Sequence, residues 1–351
     1  MSQITNNNLK IGLDNPPFII AEMSGNHNQS LDRALEIVEA AASTGAHALK
    51  LQTYTADTLT LDINKGEFFI SDENSLWKGQ SLYELFKQAY TPWEWHKPIM
   101  LKAKELGMLC FSSPFDNSAV NFLEDLNVPA YKVASFEATD LPLIKYIAST
   151  KKPLIMSTGM ANFEEIEEMV DTARGAGCKD LILLHCISSY PAPIDQSNLL
   201  TIPDMRKRLG VQIGLSDHSI TNTASVVACA LGATLIEKHF ILDRKESGPD
   251  SEFSIEPDDL TNLCKETKDA WLALGVPSYD SKSAEESSIK LRRSVYFVKD
   301  IGAGEIITKE HIRRIRPGYG LQPKYEQVII GRIVNRDVKS GTATKWELIS
   351  E

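Results

Sequence analysis

Two lysines interrupt short apolar runs of the sequence, where a charged side chain is unexpected. Lys50 stands between two leucines and shares its strand face with Gln52, and Lys132 follows Ala-Tyr. An ammonium group inside a core is costly unless an opposite charge offsets it. That charge could come from a carboxylate of the chain, such as Glu22 or Glu237, or from a phosphate-bearing ligand, which nearby hydroxyl residues favour. A Schiff-base lysine is a third interpretation, but it would need one desolvated lysine rather than two.

Two histidines end two successive apolar runs near residue 230. His218 closes the segment Leu-Ser-Asp-His, and His239 closes Glu-Lys-His, two residues after Glu237. If these runs are neighbouring strands, the two imidazoles could share one divalent cation and leave positions open for water and substrate. The alternative is that each is an ordinary hydrogen-bonded buried histidine.

Further polar side chains stand at or just after the ends of these and the other apolar runs. They are Glu22, Ser113, Ser135, Ser157, Ser188 and Ser216. No serine stands in a GxSxG motif, so the sequence does not support a Ser–His–Asp hydrolase. It contains neither a P-loop nor a GxGxxG dinucleotide motif.

Eight apolar runs, each followed by an amphipathic stretch, must position these groups. The predicted strands cover residues 18–21, 48–52, 108–112, 130–133, 153–157, 181–186, 211–215 and 235–239. Eight strand–helix units in about 260 residues match the size of a (β/α)8 TIM barrel. Catalytic groups of such barrels lie at the carboxyl ends of the strands. We therefore expect these polar residues to meet at one rim of a barrel.

The chain changes character after the eighth unit. We predict a catalytic barrel over 1–275, a Ser-rich linker over 276–290 and a small β-rich domain over 291–351. Residues 300–312 and 337–349 form a weak internal repeat. The segment 53–91 is too long for an ordinary loop and is predicted to form a lid or wall.

Composition excludes several classes of protein. The 351 residues include 37 Lys and Arg against 47 Asp and Glu, a net charge of −10, which argues against nucleic-acid binding and against attachment to anionic membranes. No apolar stretch is long enough for a membrane span, and the polar start does not resemble a signal peptide. Five cysteines without a CxxC motif indicate reduced thiols in a cytoplasmic protein.

The motifs at the strand ends, in this order, resemble those of the sialic acid synthase family over nearly the whole chain. They are IAEMSGNHN (20–28), ALKLQT (48–53), SPF (113–115), KVAS (132–135), STGM (157–160), HCISSYP (185–191), GLSDH (214–218) and EKHF (237–240). The residues after the linker, with RPGYG at 316–320, resemble the antifreeze-like (SAF) domain that follows the barrel in that family.

The resemblance implies condensation of phosphoenolpyruvate with an open-chain amino-sugar aldehyde, giving a nine-carbon 2-keto sugar acid and phosphate. A divalent ion (Mn, Mg or Co) on His218 and His239 would be the cofactor and Lewis acid, and Glu22, rather than Glu237, would activate water. The implied substrate-binding residues are Lys50, Ser113, Phe115, Lys132, Ser135, Ser157, Ser188, Tyr190, Ser216, Asp250 and Arg316. By the same resemblance, Arg316 reaches the barrel of a second protomer in a domain-exchanged homodimer. The tail at 286–351 holds 13 basic against 8 acidic residues, which suits docking on an acidic barrel.

Three segments narrow the resemblance to one branch of the family. Residues 22–28, 78–84 and 316–320 are most similar to the branch whose sugar is 2,4-diacetamido-2,4,6-trideoxy-L-altrose. The branches that form legionaminic acid or N-acetylneuraminic acid are the nearest alternatives. Ser188 stands where the neuraminate-forming enzymes have Asn, which favours a different substrate contact. A Schiff-base aldolase and a non-catalytic glycan-binding protein are further alternatives.

Overall fold

The computed structural model describes residues 4–6, 9–73 and 75–350. The chain divides into two compact units, 1–275 and 276–351, and each is described by itself. Within the described residues, no helix combines the length and apolarity needed to cross a membrane.

The first unit is built around a closed barrel of eight parallel strands, which confirms the predicted fold. A short antiparallel pair, β1 (Ile4–Asn6) and β2 (Leu9–Ile11), precedes it. The barrel strands are β3 (Phe18–Glu22), β4 (Ala48–Thr53), β5 (Leu109–Pro114), β6 (Tyr131–Val133), β7 (Leu154–Ser157), β8 (Leu181–Cys186), β9 (Gln212–Asp217) and β10 (Leu235–His239). They follow one another in sequence order, and β10 closes the barrel by pairing with β3.

The predicted strands agree with the observed ones to within two residues at either end. The largest differences are at β5 and β9, which continue through polar residues to Pro114 and Asp217. The parallel ladder itself extends these strands, since Gln52 and Thr53 of β4 pair with Ser113 and Pro114 of β5. Apolar periodicity does not reveal a strand end that is polar on its interior face.

Helices surround the barrel. They are α1 (Leu31–Ser43), α4 (Trp93–Glu105), α5 (Asn117–Asp125), α6 (Leu141–Ser149), α7 (Phe163–Gly175), α8 (Thr201–Leu209), α9 (Thr223–Ala230) and α10 (Pro257–Leu274), with two shorter helices, α2 (Ala56–Leu59) and α3 (Leu82–Ala89), inserted between β4 and α4. The first helix illustrates how the sequence specifies them: Ser30 caps its start by accepting from the backbone N–H of Arg33. Its buried residues, which include Ile37, Val38 and Ala41, recur at helical spacing and pack on the strands.

The inside of the barrel is apolar at one end and polar at the other. Leu235 lies in the apolar interior cluster, to which β2 contributes Ile11. Along β10, the alternate residues Glu237 and His239 follow Leu235 on the same face, while Lys238 points to the other face. The same change from apolar to polar occurs along β3, which ends at Glu22. The strands therefore deliver their polar residues to the carboxyl-end rim.

The second unit has a small core between two short strands and its loops. It contains α11 (Glu286–Ile289), β11 (Ser294–Phe297), β12 (Ile312–Ile315) and α12 (Glu326–Ile329), with β11 and β12 antiparallel. The two copies of the internal repeat contact each other. The Asp300 carboxylate accepts from the backbone N–H of Ser340 at 2.9 Å, and the Asp337 carboxylate accepts from Ala303 at 2.8 Å.

Candidate active site

The polar strand ends enclose one cavity of about 620 Å³ at the carboxyl-end rim of the barrel. Most of the predicted site residues line it: Glu22, Lys50, Phe115, Lys132, Ser135, Ser157, Tyr190, Ser216, His218, Glu237, His239 and Asp250. They come from all eight strands or from the loops that directly follow them. A cavity with convergent polar groups at this rim is where a TIM barrel carries its active site.

Two lysines and two glutamates form a buried ion cluster in this cavity. Lys50 Nζ lies 3.0 Å from Glu22 Oε2 and 3.5 Å from Glu237 Oε1, and Lys132 Nζ lies 3.4 Å from the same Glu237 oxygen. All four side chains are at most 4 % exposed. Register explains the first contact, since Glu22 and Lys50 are directly paired on β3 and β4. Both lysines are thus offset by carboxylates of the chain, as one of the three initial interpretations required.

The two glutamates differ in their affinity for a proton. Burial raises the pKa of Glu22 to about 7, although the ammonium group of Lys50 acts in the opposite direction. Burial would raise the pKa of Glu237 as well, but Lys132 and Lys50 outweigh it and hold that pKa below its usual value. Near neutral pH, Glu237 is therefore ionised and Glu22 exchanges its proton. When Glu22 is protonated, two ammonium groups face one carboxylate, and this excess of positive charge suits an anionic ligand.

Serine hydroxyls surround the lysines. Ser113 accepts a hydrogen bond from Lys50 Nζ at 3.3 Å, and Ser216 donates to Glu237 at 3.2 Å. The backbone N–H of Gly159 donates to Ser135 Oγ at 3.1 Å. A Cβ at Gly159 would overlap the hydroxyls of both Ser135 and Ser188. Glycine at this position therefore allows both hydroxyls to lie close to the backbone of residue 159.

Three of the predicted residues are not part of the cavity wall. Ser113 contacts the cavity through Lys50, and Ser188 Oγ lies 3.8 Å from the thiol of Cys186. Arg316 belongs to the second unit, where it follows β12 and is exposed.

His218 and His239 lie side by side, with ring centroids 5.4 Å apart. His218 Nδ1 is 2.9 Å from the carbonyl oxygen of Ile187; because a carbonyl only accepts, Nδ1 donates and Nε2 is left as an acceptor in the neutral ring. Burial holds the pKa of His239 well below its usual value, so this imidazole is neutral. Burial would lower the pKa of His218 as well, but the contacts with Cys186 and with the carbonyl of Ile187 outweigh it and raise that pKa. No group of three or more His, Cys, Asp or Glu residues in the described part of the chain could hold a metal alone. In their neutral forms, the two imidazoles would fit a cation whose other positions are taken by water and substrate.

A buried ion pair between Lys238 and Asp217 links β10, which carries His239, to the end of β9, which His218 directly follows. Lys238, on the outer face of β10, donates to Asp217 Oδ2 at 2.8 Å and to the carbonyls of Ser219 and Thr221 at 2.6 and 2.9 Å. Asp217 also accepts from the hydroxyl of Ser225 at 2.6 Å. These contacts tie β10 to the loop after β9, so they orient both imidazoles.

Sequence reasoning missed the residues that the 53–91 segment contributes. Trp77 and Leu85 of this segment line the cavity, and Tyr54 contacts Phe115 at 5.2 Å between ring centroids. The available signal was the apolar spacing of α3 in a segment too long to be a simple loop. Gln52 was expected on the face of Lys50 but had no assigned role; it donates to Glu22 Oε1 at 2.9 Å.

Comparisons with known proteins bear on this geometry. The model of the NeuB family matches residues 37–279. The chain belongs to the NeuB family. The SAF domain model matches residues 292–349, so this NeuB-family chain carries a SAF domain after its barrel, as the resemblance implied.

Individual relatives of this NeuB-family chain are similar over almost their whole length. The pseudaminic acid synthase of Campylobacter jejuni subsp. jejuni serotype O:23/36 is 43 % identical over 335 residues, 95 % of this chain and 96 % of that protein. The N,N'-diacetyllegionaminic acid synthase of Legionella pneumophila subsp. pneumophila is 36 % identical, covering 95 % of this chain and 94 % of the relative. The crystal structure of an N-acetylneuraminic acid (sialic acid) synthetase from Leptospira borgpetersenii serovar Hardjo-bovis matches with a TM-score of 0.73 and 32 % identity, over 82 % of this chain and 95 % of that one.

Five buried polar atoms of the cavity residues have no hydrogen-bond partner among the described residues. They are Glu22 Oε2, Glu137 Oε2, Ser157 Oγ, Glu237 Oε2 and His239 Nδ1. Buried polar groups in proteins are nearly always paired. An anionic ligand beside the lysines would accept from the Ser157 hydroxyl, and a cation beside the histidines would bind His239 Nδ1. The carboxylate oxygens need a donor, such as water or a hydroxyl group of a ligand.

Proposed function

We propose that this chain condenses phosphoenolpyruvate with 2,4-diacetamido-2,4,6-trideoxy-L-altrose, as a pseudaminic acid synthase does. The observation that carries the proposal is the pair of buried lysines beside unpartnered polar atoms in a barrel of the NeuB family. The higher identity to a pseudaminic acid synthase than to a legionaminic acid synthase, 43 % against 36 %, supports the choice of sugar.

Phosphoenolpyruvate would bind against the ion cluster. Its carboxylate and phosphate would bind the ammonium groups of both lysines, while Glu237 keeps its contacts with them. Lys50 and Lys132 supply the charge, and the free hydroxyl of Ser157 donates a hydrogen bond. Ser113, Ser135 and Ser216 hold the surrounding polar network.

Glu22 is suited to accept a proton from water. In the overall reaction, the methylene carbon of phosphoenolpyruvate bonds to the aldehyde carbon, water adds to C2, and phosphate leaves as the 2-keto group forms. A pKa of about 7 lets Glu22 take the proton of that water at neutral pH and release it afterwards. Gln52 donates to Glu22 Oε1, and Lys50 Nζ lies 3.0 Å from Oε2. When phosphoenolpyruvate binds Lys50, Oε2 is the oxygen that can receive the proton. Glu237, whose pKa is lowered by the lysines, orients them instead.

His218 and His239 would hold the divalent ion, with Mn, Mg or Co as the candidates. When bound, such an ion would polarise the aldehyde of the sugar. The carbonyl of Ile187 keeps the His218 ring in its tautomer, and the Lys238–Asp217 pair holds the strands that carry both rings.

The sugar would lie toward Tyr190 and Asp250. Tyr190 contacts His218, with ring centroids 4.5 Å apart, and Asp250 Oδ2 is 3.9 Å from His239 Nδ1. Ser188 and Phe115 are the further contacts that we assign to this end of the site. We also propose a linker over 276–290 and a homodimer in which Arg316 of the 291–351 domain completes the sugar site of the other protomer.

The proposed function is tested by measuring phosphate release and the mass of the product with three sugars. These are the altrose derivative, its manno-configured 2,4-diacetamido isomer and 2-acetamido-2-deoxymannose. We expect the altrose derivative to give the highest kcat/KM. Preference for the manno isomer would identify a legionaminic acid synthase, and preference for the third sugar a neuraminic acid synthase. Phosphate release with none of them would overturn the proposal.

Removal of the metal is expected to abolish turnover. Dialysis against a chelator should lower the rate of phosphate release by about 100-fold or more, because the ion that the two imidazoles would hold supplies the polarisation of the aldehyde. Mn²⁺, Mg²⁺ or Co²⁺ should restore it. In His239→Ala, calorimetry should detect no Mn²⁺ binding, whereas phosphoenolpyruvate should still bind. Activity that survives chelation, together with borohydride trapping of a pyruvate adduct on Lys50, would instead support a Schiff-base aldolase.

A further inference from the structure

The cavity has two chemically different sides. The barrel strands supply its charged and hydroxyl groups, whereas the segment between β4 and α4 supplies mainly apolar side chains. Six of these form what we call the apolar wall: Leu59, Ile70, Trp77, Leu82, Leu85 and Phe86. The Lys78–Glu84 motif, which resembles one branch of the family, overlaps this wall.

The apolar wall is an ordered structure. A turn of backbone hydrogen bonds joins Ile70 to Gln80 at 3.0 Å and to Gly79 at 2.9 Å. Ser81 then begins α3 with a capping box to Glu84. This cap directs the apolar face of α3, with Leu82, Leu85 and Phe86, toward the cavity.

Trp77 connects the apolar wall to the proposed sugar end of the site. Its indole N–H donates to the carbonyl oxygen of Pro249 at 2.8 Å, which fixes the ring. Pro249 directly precedes Asp250, and the Trp77 ring centroid is 6.1 Å from that of Tyr190. The wall therefore borders the residues assigned to the sugar rather than the lysines assigned to phosphoenolpyruvate.

We propose that the apolar wall, through Trp77, selects amino-sugar aldehydes that carry methyl groups where common amino sugars carry hydroxyls. This inference rests on the proposed function. A 2,4-diacetamido-2,4,6-trideoxy sugar has three methyl groups, at C6 and on two acetamido substituents, and has no hydroxyl at C4 or C6. The sugar 2-acetamido-2-deoxymannose has one methyl group and has both of those hydroxyls.

The physical basis is desolvation. A methyl group against the wall gains burial, whereas a hydroxyl there loses its water without gaining a partner. Apolar contacts of this size discriminate between substrates by about 10- to 200-fold. The wall does not separate the altrose derivative from its manno isomer, because both carry the same methyl groups. That distinction falls to the polar residues.

The test compares two sugars in Trp77→Ala, Trp77→Phe and Leu82→Ser. For each protein, kcat/KM is measured with the altrose derivative and with 2-acetamido-2-deoxymannose, at saturating phosphoenolpyruvate. Binding of the two corresponding alditols, which cannot react, is measured by calorimetry. Leu61→Ala is the matched control, because Leu61 belongs to the same segment but is 58 % exposed and does not line the cavity.

We expect Trp77→Ala to lower kcat/KM and alditol affinity for the methyl-rich sugar by about tenfold or more, and to change those for the other sugar by less than about threefold. Trp77→Phe, which keeps a ring, should retain most of the preference; Leu82→Ser should reduce it; Leu61→Ala should not change it. Unchanged binding of phosphoenolpyruvate shows that each variant is folded.

Two results would overturn the apolar wall as a selector: an equal loss for both sugars, or an unchanged preference in both Trp77→Ala and Leu82→Ser. Failure of the proposed function has a different signature. The wild-type protein would then release no phosphate with any sugar. The wild-type protein could still bind the methyl-rich alditol more tightly, and Trp77→Ala could remove that preference. In that case the selective role of the apolar wall is supported and the proposed function is not. If the wild type binds neither alditol, both fail.

Discussion

Glu22→Gln is expected to lower the rate of phosphate release by about 10²- to 10⁴-fold, the range contributed by a general acid or base. The amide has nearly the shape of the carboxyl but accepts no proton from water. The contact with Lys50 at 3.0 Å loses its charge but keeps its shape. The KM for phosphoenolpyruvate should therefore change less than kcat. The measurement is steady-state kinetics, with phosphoenolpyruvate varied at saturating sugar for its KM and the sugar varied at saturating phosphoenolpyruvate for kcat.

The pH dependence of the rate tests whether Glu22 acts as a base. Since burial raises the pKa of Glu22 to about 7, the carboxyl is protonated below that pH and cannot act as a base. The kcat/KM for the sugar should therefore rise with pH. The midpoint of the rise should lie at or above about 7, because bound phosphoenolpyruvate, an anion, further opposes the ionisation of Glu22. This rise should be absent in Glu22→Gln.

Glu137 provides a matched control for this experiment. Burial raises its pKa to about 7 as well, and it lines the same cavity, but it forms no ion pair with Lys50 or Lys132 in the described part of the chain. Glu137→Gln should keep the rise with pH. If the rise disappears in Glu137→Gln and persists in Glu22→Gln, the base has been assigned to the wrong carboxyl.

Lys238→Met is expected to destabilise the barrel by about 3–5 kcal/mol, the usual result of removing one partner of a buried ion pair. The lysine side chain is 0 % exposed and Asp217 is 3 % exposed, so Asp217 would keep a buried charge without its ammonium partner. The carbonyls of Ser219 and Thr221 would also lose a donor. Denaturant unfolding measures the loss.

Two further variants separate this explanation from a general effect of losing a lysine. Lys102→Met removes a partner of a partly exposed ion pair, with Glu39 at 2.5 Å, and should change stability little because water solvates both groups. The double variant Asp217→Asn with Lys238→Met should lose less than the sum of its two single variants, since no buried charge is left unpaired. A loss in Lys238→Met as small as that in Lys102→Met would refute the stabilising role of this ion pair.

The barrel could be predicted because its signals are local in sequence. The run that became β10 carries Leu235, Glu237 and His239 on one face, and this period of two is visible without coordinates. Parallel strands of a closed barrel end at one rim, so strand-end residues such as Lys50 and His218 had to converge. The predicted pairing of His218 with His239 follows from the adjacency of β9 and β10.

The segment 53–91 was harder to predict. Its length indicated a lid or wall, but its apolar residues could equally have packed on the outer helices. Their orientation depends on contacts between positions far apart in sequence, such as Trp77 with the carbonyl of Pro249. No periodicity within the segment encodes that contact.

The amino-acid sequence by itself determined the barrel, its polar rim, the SAF domain and the family, because strand period, helix period and motif order are all local properties of the chain. Only the tertiary structure decided which glutamate holds the proton. Glu22 and Glu237 are the same residue type at equivalent strand ends, yet Glu237 lies between two lysines and Glu22 beside one. Their pKa values therefore shift in opposite directions, because burial and charge separation act through space and not along the chain.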